Sequence, residues 1–406
     1  MATRKHRTTE IVGDSLESVA ASQLETTEDV ESPDLTTGGA AVLAASDWTT
    51  QTILNQLDRG NIELNPIFQR RDAWRAPRKS HFIESLVLGL PVPQLVLAER
   101  KDARGTYIII DGKQRLLTLR QFSATPQSGF EPLRLRDLRI CTHLNGMEYR
   151  DLQSNPSLVK DLNAFEKYTL RTVVIRNWPS EEFLYTVFLR LNTGSVPLSP
   201  QELRQALHPG EFTLFVNEYS ANSEPLREIL GLTQPDFRMR DAELLLRYLA
   251  FENFMPQYTG NLKQFLDDVV IHFNRTWLTQ SAAVTAQAHS LDRAITTASD
   301  IFGDDAFKKW NGKQFESRLN RAIFDTVVHY FSDPQVAKSA KAKRTAVVSA
   351  FKHLCESSEA FATSVGGTTK SLDAVFTRYY EWGRSLATAT GVKVILPHRV
   401  ENRIKM

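Results

Sequence analysis

The stretch YIIIDGKQRLLTL, residues 107–119, sets an acid, a glycine and two cations between two apolar runs. Two backbone forms suit it. Asp111-Gly112 favours a tight turn between two strands. It equally suits a strand running into a helix, with Asp111 as the cap. KQRLLTLRQF lacks the alternation of a second strand, and Leu116 and Leu119 recur at helical spacing, so a helix is expected. A strand–glycine–helix junction aims free backbone N–H groups at one point, where the helix dipole favours an anion. Lys113 and Arg115 add positive charge there, and Gly112 lets a ligand approach the backbone closely. The chemistry that fits is phosphate binding. Asp111 is compatible with a phosphate if magnesium joins them, or if it orients an attacking water. The plain alternative is a capping aspartate with two solvated cations. A Walker A loop is excluded, because Gln114 follows the lysine where Ser or Thr belongs, and the preceding glycine, Gly105, is too far upstream.

Two further polar clusters lie at the edges of apolar segments. NPIFQRRDAW (65–74) places Gln69, Arg70 and Arg71 beside Asp72 and Trp74. FLRLNTGSVPLSPQEL (188–203) ends an apolar helix in Arg190, Asn192, Thr193 and Gly194. The three stretches, in this order, resemble the N-terminal domain of GmrSD-type modification-dependent restriction endonucleases, which looks distantly similar to the ParB/sulfiredoxin fold. The resemblance runs over residues 48–255. The family's central motif usually reads Asp-Gly-Gln-Gln-Arg. Asp111, Gly112, Gln114 and Arg115 match it, while Lys113 replaces the first glutamine. Gln69, Arg70 and Trp74 match the first motif, and Arg190 and Asn192 the third.

The resemblance implies a nucleoside triphosphate site using Mg2+, with hydrolysis tied to recognition of foreign or modified DNA. On this reading Gln69, Arg70, Gly112, Lys113, Gln114, Arg190 and Asn192 bind nucleotide, Asp111 and Arg115 act in catalysis, and Asp111 holds the metal. The lysine's extra charge leaves the nucleotide's identity open. DNA and a nuclease or other defence-system subunit are the implied partners, and a homo-oligomer is left open.

The elements that must position these residues can be read from periodicity. SDWTTQTILNQL has helical spacing, with Ser46 or Asp47 as cap, so order is expected to begin near Asp47. RAPRKSHFIESLVLGL reads as a helix ended by Gly89. PVPQLVLAE, TYIIID and LRTVVIRN read as short buried strands, and EEFLYTVFLRL as an apolar-faced helix. LSPQELRQAL carries a full start signal, with Ser199 at the N-cap, Pro200 at the first position and Glu202 at the capping-box site. Beyond residue 211 MRDAELLLRYLAFENF, NLKQFLDDVVIHF, FESRLNRAIFDTVVHYF and RTAVVSAFKHL are all helical in period. The expected fold is α+β: a small ParB/sulfiredoxin-like mixed α/β core followed by a mainly α-helical C-terminal part. The expected division is a disordered arm over 1–46, a ParB-like nucleotide domain over 47–210 and a helical domain over 211–406.

Composition narrows the class. No apolar run approaches the ~18 residues of a membrane helix. Two cysteines, Cys141 and Cys355, cannot frame a disulfide scaffold or a cysteine zinc site, so a reducing cytoplasm is the expected compartment. Residues 1–46 hold 3 basic and 8 acidic groups, whereas residues 301–406 hold 17 basic and 10 acidic. If the chain touches nucleic acid, the C-terminal third is the expected surface; the alternative is a solvated helical face. A His-Asn-His nuclease motif is not found: the nine histidines are scattered. Two alternatives to the NTPase stand: a non-catalytic, nucleotide-switched binding module, and a metal-dependent endonuclease built on Asp72, Glu99 and Lys101 or on Asp111.

Overall fold

The computed structural model describes residues 41–62, 64, 71–191, 199–367, 369–401 and 403–406. Four strands, β1 (Val42–Thr49), β2 (Leu95–Glu99), β3 (Tyr107–Asp111) and β4 (Thr169–Arg176), form one sheet in the order β1-β4-β2-β3. β4 is antiparallel to β1 and parallel to β2, and β2 is antiparallel to β3. Three of these strands are the expected ones, and β1 is not. Asp47 and Trp48, expected in a helix, sit in β1 opposite Arg171 and Leu170. The helix starts only at Thr50, under a Thr49 cap whose Oγ1 accepts the Thr52 N–H at 3.1 Å. Pairing along the whole of β4 outweighs the local helical spacing, and residues 42–46 share the strand with Asp47.

Both faces of the sheet are covered, which explains apolar runs without alternation. Leu95, Leu97, Ile109 and Leu170 face one core. Helices α1 (Thr50–Asp58), α2 (Ala76–Val87), α3 (Lys113–Phe122), α4 (Tyr149–Ser154) and α5 (Val159–Lys167) complete it. Val96, Ala98, Ile108, Ile110 and Ile175 face the other. There they meet Leu184 and Phe188 of α6 (Glu181–Leu191) and Leu203 of α7 (Pro200–Leu207). Helix ends follow the sequence signals. Gly89 takes φ +69, and Leu90 N–H reaches back to Ser85 O at 2.9 Å, closing α2. At α7 both halves of the Ser199–Glu202 capping box form.

The rest is helical: α8 (Glu211–Asn222), α9 (Glu224–Ile229), α10 (Arg240–Phe254), α11 (Leu262–Phe302), α12 (Arg321–Phe331), α13 (Pro334–Ala342), α14 (Arg344–Ser357), α15 (Glu359–Gly366) and α16 (Leu372–Thr390). A short hairpin of β5 (His398–Val400) and β6 (Arg403–Lys405) follows. These helices share one core around α11, whose 41 residues extend about 60 Å. The architecture is thus α+β, with a small sheet followed by a mostly helical part.

Candidate functional site

At the end of β3 the chain does what its change of period requires. Ile108–Ile110 alternate between the two cores, Gly112 turns the backbone at φ +100, and α3 starts at Lys113. Gly112, not Asp111, is the N-cap, and no side chain caps this helix. A Cβ at Gly112 would overlap the Leu95 side chain, and φ +100 disfavours any L-residue. The position therefore requires glycine for both space and backbone.

The four charged groups here are arranged in two pairs. Arg115 turns back to Asp111, with Nη2 2.9 Å from Oδ2, and the same nitrogen donates to Gln94 O at 2.9 Å. Asp111 Oδ1 accepts the Gly112 N–H at 2.7 Å. Lys113 Nζ lies 2.5 Å from Glu202 Oε1 on α7, and both side chains are buried. Glu202 also accepts the Ser199 N–H through its other oxygen at 2.7 Å. Its carboxylate thereby caps α7 and neutralises Lys113 together. Two buried atoms at the junction, Gln114 Oε1 and Arg115 Nε, have no partner.

Asp111 is the accessible member, its side chain 22 % exposed against 5 % for Arg115. Among the described residues no three His, Cys, Asp or Glu side chains gather as a metal cage. Asp111 can thus offer one oxygen to a magnesium ion that arrives on a triphosphate, whose own oxygens and waters would complete its shell. A resident, all-protein magnesium site does not fit these residues.

Of the remaining expected site residues, Gln69, Arg70 and Asn192 lie outside the described residues. Arg190 is exposed in the last turn of α6. Trp74 packs edge-on against Phe82, at 5.8 Å between centroids, under the Arg78 guanidinium. The residues of the endonuclease alternative are each engaged with other groups. Asp72 is ion-paired with Lys79, Glu99 with Arg176, and Lys101 donates to Pro179 O at 2.9 Å.

The neighbouring cation Arg71 has a role that the sequence does not announce. It is fully buried and plugs into the helical part. Nη1 reaches Asp241 Oδ1 at 2.6 Å and Asp236 O at 2.8 Å. Nη2 reaches Ser220 Oγ at 2.9 Å and Asn217 O at 3.2 Å. A second clamp joins α7 to α11: Arg204 Nε meets Asp267 Oδ1 at 2.6 Å, and Lys263 meets Oδ2 at 2.9 Å. Burial alone would raise the Asp267 carboxyl pKa, but the Arg204 and Lys263 charges and their hydrogen bonds hold it below the ordinary value. Also unannounced are Gln205 and Asn217, whose amides meet at 2.6 Å beside the junction. The one available signal was Gln205 falling one turn after Glu202.

Residues 50–209 match the family described as GmrSD restriction endonuclease, N-terminal domain. The match begins at the first residue of α1 and ends just beyond α7, so it encloses the sheet from β2 onward and the whole junction. No curated protein and no solved structure matches the chain.

Proposed function

We propose that this chain, which carries a GmrSD restriction endonuclease N-terminal domain over residues 50–209, is the NTP-binding and NTP-hydrolysing, DNA-sensing component of a restriction or defence system. The matched domain supports the coarser part, a restriction or defence component. The finer part rests on one observation: an uncapped helix N-terminus behind Gly112, flanked by the orphaned Gln114 Oε1 and Arg115 Nε. Buried polar atoms without partners are uncommon, and such a site suits a ligand that supplies both donors and acceptors. Phosphate oxygens would take the N–H groups of the first turn of α3. Asp111 would orient the attacking water, with magnesium carried in by the nucleotide. Water oxygen bonds to the terminal phosphorus, the bridging P–O bond breaks toward the diphosphate, and the water's proton passes to Asp111 or a phosphate oxygen. Lys113 and Glu202 would sense the arriving charge, since a phosphate competes with Glu202 for the ammonium. The helical part, with its basic excess, would meet DNA or a subunit that cuts it.

The test is phosphate release from ATP, GTP, CTP and UTP with magnesium, with and without DNA, for wild type and Asp111→Asn. Turnover that falls at least roughly a hundredfold in the variant, with unchanged circular dichroism, is the expected result. Nucleotide bound without turnover would leave a switch in place of an enzyme. Full turnover in Asp111→Asn would remove Asp111 from the chemistry.

A further inference from the structure

The two faces of the β5–β6 ribbon differ in kind. Its pairs are His398 with Lys405, Arg399 with Ile404, and Val400 with Arg403. Residues directly opposite on antiparallel strands share a face, and the next pair along takes the other. Arg399 and Ile404 therefore occupy one face, which is turned to the protein. Ile404 is fully buried in the helical core, and β6 packs on α16 and on the turn at Met255–Gln257. The Arg399 guanidinium lies 4.7 Å from the centre of the Phe376 ring of α16 and is paired with Asp373. His398, Val400, Arg403 and Lys405 are left on the outer face, and all four are exposed. Among the described residues neither Arg403 nor Lys405 has a side-chain hydrogen bond or an ion pair. Glu401, in the turn, is the ribbon's one acid.

The outer face thus carries two cations that the protein itself does not neutralise. They are two residues apart on β6, about 6.5–7 Å along the strand, which is close to the separation of neighbouring phosphates on one nucleic-acid strand. With all four side chains exposed, no walls enclose a small anion. A polyanion gains more, because each phosphate contact releases condensed counterions. A two-stranded ribbon is of a size that the major groove of duplex DNA admits. The outer face holds no Phe, Tyr or Trp, the stacking platforms on which single-strand binding depends. We propose that the outer face of the β5–β6 ribbon docks on the phosphates of duplex DNA, with Arg403 and Lys405 as the contacts. This rests on the reading of the helical part as the part that meets DNA, and gives that reading a surface. The contacts go to the backbone, so they fix position and carry no base specificity.

The experiment is fluorescence-anisotropy titration of a short labelled duplex with the full chain over a series of salt concentrations. Arg403→Gln/Lys405→Gln removes both contacts. Lys160→Gln/Lys167→Gln removes the same charge from exposed positions on α5, which belongs to the sheet's own core, and serves as the control. Losing two phosphate contacts should make the slope of log K against log salt shallower by about 1.8 and weaken binding roughly fiftyfold near ~0.1 M salt. Glu401→Gln should tighten binding, and the α5 control should match the wild type. The ribbon residues are exposed and unpaired, so circular dichroism should be unchanged throughout. An unaltered affinity and slope in the ribbon variant, or an equal loss in the α5 control, would overturn the proposal. So would tighter binding of a labelled single strand than of the duplex. Undiminished binding by the ribbon variant removes the ribbon and leaves the DNA-sensing reading standing. Absence of wild-type binding at concentrations on the order of 100 μM removes both. Phosphate release is measured separately and bears on the nucleotide junction alone.

Discussion

Replacing Arg71 by Met tests whether the sheet and the helical part are one cooperative structure. The guanidinium and the Asp241 carboxylate are both fully buried, 2.6 Å apart. Removing one partner of a buried pair costs about 3–5 kcal/mol, because the other charge stays desolvated. Asp241 is poorly placed to absorb that loss, since its Oδ2 has no partner and its Oδ1 would keep the Ala242 N–H. With a urea dependence near 3 kcal/mol per molar, the midpoint should fall by about 1–2 M. The double variant Arg71→Met/Asp241→Leu removes both charges and should recover part of this. Recovery stays incomplete because Asp236 O and Asn217 O, which accept from Arg71, lose their donor in either case. The cycle should therefore show a coupling of about 1–3 kcal/mol. Far-UV circular dichroism and tryptophan fluorescence report the transition. A loss below about 1 kcal/mol for Arg71→Met, or additive single changes, would refute the reasoning and mean that water or a shifted side chain satisfies Asp241.

Three further outcomes are expected. Gly112→Ala should destabilise the chain by about 1–3 kcal/mol, because φ +100 and the Leu95 side chain both oppose a Cβ, and should reduce nucleotide binding; calorimetry and urea titration check the two together. Ser199→Ala should cost about 1 kcal/mol in the same titration by removing the hydroxyl that caps α7. Asp267, whose folded pKa is depressed, stabilises the chain fully above the ordinary aspartate range and loses that contribution as pH falls through the lower folded value. Thermal melts of wild type should therefore fall more steeply at acid pH than those of Asp267→Asn, which lacks this titration.

What was legible in the sequence was local. The junction could be read because a two-residue period gives way to a helical one at Asp111-Gly112, and helix starts and stops such as Ser199, Glu202 and Gly89 are signalled within four residues. What was not legible depends on distant parts of the chain. Strand β1 forms because β4, more than a hundred residues on, offers it a complete edge. Lys113 looked like a free cation because Glu202 lies 89 residues away. Arg71 and Asp241 are 170 residues apart, and nothing near either announces the other. Charge pairing in a core is a property of packed helices, so a residue-by-residue reading assigns such groups to solvent or to a ligand.

Those distant contacts also tie the three short polar motifs together. Helix α7 is where they meet. From the first motif, Arg71 holds the Asn217 carbonyl at 3.2 Å. The Asn217 amide holds Gln205 on α7 at 2.6 Å. One turn earlier on the same helix, Glu202 holds Lys113 of the central motif at 2.5 Å, and both Glu202 and Ser199, whose N–H it accepts, belong to the third. Each link is buried, so none can be broken without leaving a desolvated polar group. A change in charge at Lys113 must be answered by Glu202 and therefore by the seat of α7. The same helix is bolted to the helical part through Arg204 and Asp267. If phosphate binding at Gly112 pulls Lys113 from Glu202, α7 is the element whose position it alters, and the helical part is what receives the change. On this argument, nucleotide should alter hydrogen-exchange protection in α7 and α11 in the wild type but not in Lys113→Gln, where the neutral side chain gives a phosphate no charge to draw from Glu202.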